Sequence, residues 1–300
     1  MDKVDEIVEL FRTKVKDDNI SEVVSNIRER LNSNGKDADL YTWDRSSGST
    51  IHMSIGINQI GRMTLGGKKS SINEFISDNI KLNAQDGMLA DIVNLYIDDC
   101  TEAYENLIMK IQKLENTSFD DIMMAVYSTV NDYFGGIEKV SAEQRAKYYE
   151  QLGNLEKDAK LSDFKGKNLA ACVERAGLSQ NLLKFLGFNA ICKSSQITID
   201  GKRDAHNYNL VEYKAKYYIF DATIPNKDEK GNVSPIVAEI PKDVFEKLSD
   251  PMHKDDVAIV TEHDSVRGYR KICYNSWSKN VYDARILKSE PNDSDDKFER

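Results

Sequence analysis

The chain has 300 residues, enough for one large domain or two ordinary ones with a core that needs no disulfide or metal. Apolar residues make up 40% and charged residues 30%, the balance of a folded protein and not of a disordered chain. The net charge of -9 argues against a general attraction to phosphate backbones or anionic lipid, so we expect neither nucleic acid nor a membrane as partner.

The first residues carry acids early and lack the apolar core of a signal peptide, and no later stretch reaches the length of a membrane-spanning helix. The sequence therefore predicts a cytoplasmic protein, although export by a route without a cleavable signal leaves the same pattern. The cysteines lie far apart with no CxxC pair, so we expect free thiols, no zinc site and no disulfide framework. They are Cys100, Cys172, Cys192 and Cys273.

Residues 1–117 have mainly helical patterns. Apolar residues at helical spacing predict two short helices before residue 32. An alternating, glycine-rich stretch at 32–71 predicts a small β hairpin, and apolar positions at 89–114 predict one long helix that contains Cys100. We expect this region to be a mainly helical N-terminal part of the molecule, and it is the candidate surface for a protein partner.

Residues 118–288 mix helical and strand patterns. Helices are predicted at 118–134, 142–152 and 171–186. The first has Ser118 as its N-cap and stops at Gly135, and a surface loop is expected at 225–235. Strands are predicted at 190–199, 207–213, 217–222, 257–260 and 270–274. The fold class is therefore α+β, followed by an acidic tail at 289–300.

Cys172 is the candidate nucleophile. A cysteine reacts as the thiolate, and the free N–H groups and positive dipole end of a helix N-terminus stabilise that anion. Residues 165–171 lead Cys172 from a loop into the first turn of a predicted helix, whereas Cys100 is expected in the middle of one. Cys192 and Cys273 have the ordinary interpretation of small core residues.

His206 and Asp221 lie on two successive predicted strands that should pair as a hairpin. With a four-residue turn at 213–216, Tyr208 lies opposite Asp221, and His206 is diagonal to Asp221 on the same face. Such diagonal pairs are about 7 to 8 Å apart at Cβ, within reach of an imidazole and a carboxylate. A three-residue turn would place the two side chains on opposite faces and exclude a triad.

These three residues have the chemistry of a Cys-His-Asp triad. Cys172 would attack a carbonyl carbon, His206 would take and return the proton, and Asp221 would fix the imidazole tautomer. The Cys172 backbone N–H is the natural first donor of an oxyanion hole. The sequence assigns no second donor; Gln151 is an upstream amide, but no pattern supports it.

Residues 165–223 resemble the core of the transglutaminase-like superfamily in three motifs with matching order and similar spacing. The first is a cysteine at the start of a helix that ends in a leucine-rich, glycine-terminated run. The second is a histidine followed by an aromatic residue and a Val-Glu pair, and the third is an aromatic strand ending in Asp-x-Thr. They lie at residues 172–187, 206–212 and 217–223 and contain Cys172, His206 and Asp221.

The resemblance implies a papain-like α+β fold, in which the cysteine-bearing helix packs on an antiparallel sheet that carries His206 and Asp221. It also implies catalytic roles for Cys172, His206 and Asp221, no cofactor or metal, and a protein or peptide substrate, since most members are thiol proteases. The chain departs from the family pattern by having Asn207 where a small residue is usual, Tyr208 for Trp, and Ala222 for proline.

The predicted function is a cysteine peptidase or amidase that hydrolyses a peptide or isopeptide-type bond through a thioester. A cross-linking transglutaminase would use the same triad. An acetyltransferase of the arylamine N-acetyltransferase type is a weaker alternative, because that family has an Arg-Gly-Gly approach and here residues 168–171 are Asn-Leu-Ala-Ala. The alternative from another class is an inactive papain-like scaffold protein.

Overall fold

The structure is a computed structural model. It describes residues 2–33, 39–44, 50–55, 61–64, 94–97, 100–136, 144, 147–148, 151, 159–228, 230–249, 257–262, 271–276 and 278–287, and only the backbone of those within 28–97 and of 159, 160, 173, 194 and 205. The predicted helix at 142–152 lies largely outside these residues, and the predicted acidic tail lies wholly outside them. The described part of the chain is α+β, as expected.

The helices of this part are α1 (Lys3–Lys14), α2 (Ile20–Ser33), α3 (Thr101–Gln112), α4 (Phe119–Phe134), α5 (Cys172–Phe185) and α6 (Lys242–Ser249). The strands are β1 (Asp39–Asp44), β2 (Thr50–Ile55), β3 (Gly61–Thr64), β4 (Asn94–Ile97), β5 (Ala159–Lys160), β6 (Asn189–Ile199), β7 (Lys202–Tyr213), β8 (Lys216–Lys227), β9 (Val233–Ile240), β10 (Ala258–Glu262), β11 (Lys271–Tyr274) and β12 (Val281–Asp283). No helix among the described residues has the length and apolar character needed to cross a membrane.

The main sheet has the strand order β12-β10-β11-β6-β7-β8-β9, and the pairs β6-β7, β7-β8 and β8-β9 are antiparallel. The β7-β8 hairpin turns at Lys214 and Ala215, which have φ angles of 51° and 58°. Two successive positive φ angles are typical of a type I′ turn, whose twist matches that of the strands it joins. Tyr213 pairs with Lys216 and Asn209 with Phe220, so the register is that of the predicted four-residue turn.

Alternation along β7 divides the core into two layers. Val211 and Tyr213 belong to the apolar cluster that contains α5, whereas Tyr208 and Leu210 belong to the cluster that contains α6. Because successive side chains of a strand point to opposite faces, the sheet separates α5 from α6. Helix α5 packs against β6, β7 and β8 and also contacts α4.

The N-terminal helices pack at the far end of α5. The ring of Phe185 stacks on Phe11 of α1, with ring centroids 5.5 Å apart, and contacts Tyr104 of α3 at 4.7 Å. All three side chains are almost completely buried. Residues before and after position 117 therefore share one apolar core.

The C-terminus of α4 holds the loop that leads to Cys172. Gly135 ends the helix in the left-handed conformation with φ 89°, as the sequence predicts. The Gly166 N–H donates to the Tyr133 carbonyl at 2.9 Å, and the Asn168 N–H donates to the Phe134 carbonyl at 2.8 Å. The carbonyl groups at the end of α4 thus fix the backbone that precedes the cysteine.

Two predictions about secondary structure are wrong. Residues 94–97 form strand β4, paired with β3 and β5, and α3 begins only at Thr101, so Cys100 precedes a helix instead of lying within one. The expected loop at 225–235 is shorter than predicted, because Asn226 pairs with Ser234 and Lys227 with Val233, so both of its ends are strand. Backbone pairing does not require apolar side chains, which is why a polar stretch misled the prediction. Strands β9 and β12 and helix α6 were not predicted.

We predict that Gly135→Ala destabilises the protein and disturbs the loop before Cys172. A Cβ at Gly135 would lie 2.9 Å from both the carbonyl carbon and the oxygen of Gly166, in addition to the strain of positive φ. Gly201→Ala is the matched control, since Gly201 also has positive φ but nothing lies within 4 Å of its Cβ position.

The free energy of unfolding of the control should fall only by the cost of a positive φ for alanine, about 1 to 2 kcal/mol, and that of Gly135→Ala should fall clearly more. Urea unfolding of both variants measures the difference. Equal losses would show that the contact with Gly166 is unimportant.

Candidate active site

A buried ion pair joins the two strands of the β7-β8 hairpin. His206 Nε2 lies 2.7 Å from Asp221 Oδ2, and the two side chains are 5% and 0% exposed. The β7-β8 pairing ends at Asn209 and Phe220, so His206 and Asp221 lie just beyond the last paired residues of the two strands. Extending that register places His206 diagonal to Asp221, as the turn length predicts.

Four donors surround the Asp221 carboxylate. Oδ1 accepts hydrogen bonds from the backbone N–H groups of Thr223, at 2.8 Å, and Ile224, at 3.2 Å. Oδ2 accepts one from the hydroxyl of Tyr274 at 2.9 Å, in addition to that of His206. Tyr274 belongs to β11 and is completely buried. A buried carboxylate remains ionised when it is paired and hydrogen-bonded in this way.

The pKa values of Asp221 and His206 are both shifted in the direction that favours the charged form. Burial raises the pKa of the Asp221 carboxyl, but the charge and hydrogen bond of His206, with the Thr223 and Tyr274 bonds, lower it below 3.8. Burial lowers the pKa of the His206 imidazole, but the charge and hydrogen bond of Asp221, together with the Cys172 side chain, outweigh burial and raise the pKa to about 10. Burial and the neighbouring Asp221 charge also raise the pKa of Tyr274.

Cys172 is the first residue of α5 and is partly exposed. Its side chain lies near the His206 imidazole, where hydrogen bonding and charge raise the pKa of that ring. Since Nε2 of the ring bonds Asp221, Nδ1 is the nitrogen left for the thiol. The Asn207 side-chain amide also donates to Cys172 Sγ, at 3.7 Å. The structure thus brings the three residues of the predicted triad together and adds Asn207.

Side chains of α5 itself hold the start of the helix in place. The Glu174 carboxylate accepts the Ala171 N–H at 2.8 Å, one half of a capping box. The buried guanidinium of Arg175 donates to the Ala170 carbonyl at 3.2 Å, to Asn131 Oδ1 at 2.6 Å and to the Gly136 carbonyl. Arg175 therefore ties the backbone just before Cys172 to the end of α4.

The other cysteines lack this environment. Cys100 is buried and accepts a hydrogen bond from the Tyr133 hydroxyl at 3.4 Å. Cys192 is buried on β6, where burial and the charge of Cys172 raise the pKa of its thiol, and burial also raises the pKa of Cys273. Among the described residues no group of three or more His, Cys, Asp and Glu could hold a metal ion.

Sequence reasoning missed two residues of the site. Tyr274 has the pattern of a core aromatic in a short strand, and no local signal places its hydroxyl on Asp221. Asn207 did give a signal, because it departs from the small residue usual in the transglutaminase-like pattern. Gln151, the amide considered as a second oxyanion donor, is exposed.

Comparison of the chain with protein-family models, with curated proteins and with solved structures gives no match.

We predict that Tyr274→Phe destabilises the protein by about 1.5 to 3 kcal/mol, because it removes a hydrogen bond to a buried charge. Tyr213→Phe is the matched control: its hydroxyl also donates to a carboxylate, that of Asp5, at 2.9 Å, but near the surface. Water replaces that bond, so the control should lose less than about 1 kcal/mol. Urea unfolding of the two variants at neutral pH measures both values, and equal losses would contradict the importance of the Tyr274 bond.

We predict that His206→Gln lowers the free energy of unfolding relative to wild type, and that the size of this loss depends on pH. The pKa of His206 is higher in the folded than in the unfolded protein. The stabilisation that His206 provides is therefore fully present below its unfolded pKa of 6.5 and is lost as pH rises through its folded pKa. The pKa of Asp221 is lower in the folded than in the unfolded protein. The stabilisation that Asp221 provides is therefore fully present above its unfolded pKa of 3.8 and is lost as pH falls through its folded pKa.

The loss in free energy of unfolding should thus be greatest between about pH 4 and pH 6.5, at about 3 to 5 kcal/mol, and should become smaller at alkaline pH. Denaturant unfolding of both proteins at about pH 5.5 and about pH 9.5 measures it. A deficit that is the same at the two pH values would contradict the ion pair.

Proposed function

We propose that the chain is a cysteine-dependent acyl-transfer enzyme, a peptidase or amidase that hydrolyses a peptide or isopeptide-type bond. The observation that carries the proposal is the His206 imidazole, hydrogen-bonded to Asp221 through Nε2 and to the Cys172 side chain at the N-terminus of α5. This is the relation that a nucleophile, a base and an orienting acid require.

The electrostatics favour a thiolate–imidazolium pair. The raised pKa of His206 keeps the ring protonated at neutral pH, and the positive ring and the helix N-terminus both stabilise a negative sulfur. Burial of the ring and of Asp221 reduces competition from water for these charges. Cys172 is partly exposed, as access of a substrate to its side chain requires.

The reaction would proceed in two stages. The Cys172 thiolate attacks the carbonyl carbon, and His206 gives its proton to the departing amine as the carbon–nitrogen bond breaks, leaving a thioester. His206, now neutral, takes a proton from water, whose oxygen attacks the thioester. The carbon–sulfur bond then breaks, the acid is released, and the thiolate–imidazolium pair is restored. Asp221 holds the ring orientation throughout.

A papain-like, transglutaminase-like core is the finer fold that we propose. It is supported by the packing of α5, with Cys172 at its N-terminus, against the antiparallel strands that carry His206 and Asp221. The proposed catalytic domain is residues 118–288, and the proposed substrate is a protein or peptide. If an amine replaces water in the second stage, the same residues would perform cross-linking.

We predict that iodoacetamide labels Cys172 selectively at about pH 6, because only a stabilised thiolate reacts at mildly acidic pH. Cys273 is the internal control, since it is also partly exposed but burial raises the pKa of its thiol. Peptide mass spectrometry locates the label, and His206→Gln should lower the labelling rate of Cys172 by at least about tenfold. Equal labelling of Cys172 and Cys273 would contradict the thiolate.

Turnover is tested with p-nitrophenyl acetate. Wild type should release p-nitrophenol in a burst of one equivalent and then more slowly as the thioester hydrolyses, and Cys172→Ala should do neither. Added methylamine distinguishes hydrolysis from amine transfer through N-methylacetamide formation. Selective labelling of Cys172 without any burst would instead favour the inactive scaffold.

A further inference from the structure

A second polar side chain, besides His206, contacts the sulfur of Cys172. The Nδ2 group of Asn207 donates to Sγ at 3.7 Å, and Asn207 is 7% exposed. Asn207 follows His206 directly in β7, so the same strand supplies both side chains. The proposed chemistry gives His206 the proton transfer and leaves the role of Asn207 open.

The position of Asn207 is set by a second asparagine on the same face of β7. Asn209 Nδ2 donates to the carbonyl of Ala176 at 3.0 Å, and Asn209 is completely buried. Positions 207 and 209 are one side-chain repeat of a strand apart, and positions 172 and 176 are about one turn of a helix apart. The Asn209 bond therefore fixes α5 alongside β7 and holds Asn207 at the helix N-terminus, beside the sulfur.

We propose that the Asn207 side chain is the second donor of the oxyanion hole, together with the backbone N–H of Cys172. The inference rests on the proposed function and deepens it. When Sγ bonds the carbonyl carbon, the carbonyl π electrons move to oxygen, which then lies within about 3 Å of the sulfur and needs donors at 2.7 to 3.1 Å. The Cys172 N–H lies in the first turn of α5, at the positive end of the helix dipole.

Asn207 would change partners during the reaction. In the resting enzyme its N–H group faces the sulfur, a weak acceptor. In the tetrahedral intermediate the negative oxygen is a far stronger acceptor in the same place. No proton is transferred by Asn207; the C=O bond re-forms when the leaving group departs with the proton of His206. An interaction that strengthens in this way accelerates the chemical step and not substrate binding alone.

The test compares two reactions of the same sulfur. Alkylation by iodoacetamide needs the thiolate but forms no oxyanion, whereas acylation by p-nitrophenyl acetate needs both. The ratio of acylation to alkylation rate constants should fall by about 100 to 1,000-fold in Asn207→Ala and remain unchanged in Asn226→Ala. Asn226 is the control because its amide donates to Ser234 across the β8-β9 ladder.

Asn207→Leu, which has a similar shape but no donor, repeats the test if the alanine variant does not fold. An unchanged ratio in a folded variant would overturn the inference while wild-type acylation upholds the proposed function. A fall of both rates together would also overturn it, since Asn207 would then stabilise the thiolate and not the oxyanion. If wild type is alkylated but never acylated, the proposed function fails and this inference fails with it.

Discussion

The buried carboxylate of Asp221 is the group on which the site depends. A charge without access to water is tolerated only when donors surround it, and here the donors come from His206, from Tyr274 and from the backbone N–H groups of Thr223 and Ile224. Strands β7, β8 and β11 must therefore be assembled before the carboxylate can be ionised in the core. The same bonds orient the imidazole, so the stability of the fold and the geometry of the site are coupled.

The sequence predicts the centre of this structure well because the signals there are local. The helix N-cap at Ser118, the glycine that ends α4 and the alternation along β7 and β8 each depend on a few adjacent residues. The relation of His206 to Asp221 also follows from one turn length. Cys172 was placed at a helix start by the polar approach before it, and α5 begins there.

The rest depends on contacts between residues distant in the chain. Residues 94–97 have an apolar pattern that a helix or a strand can satisfy, and only pairing with β3 and β5 decides for the strand. The bond from Tyr274 to Asp221 joins residues 53 positions apart, and no periodicity encodes it. Arg175 likewise reaches Asn131 in α4. Such partners become visible only when the backbone has been placed in three dimensions.

The hairpin turn at Lys214 and Ala215 has an evolutionary consequence. Surface loops usually accept insertions and deletions, because their length affects little beyond the loop. A single residue gained or lost here would shift the β8 ladder by one place and turn the carboxylate away from its imidazole, although Lys214 itself is exposed. Descendants of this chain that keep the chemistry should therefore vary in the identity of these two residues and hardly at all in their number.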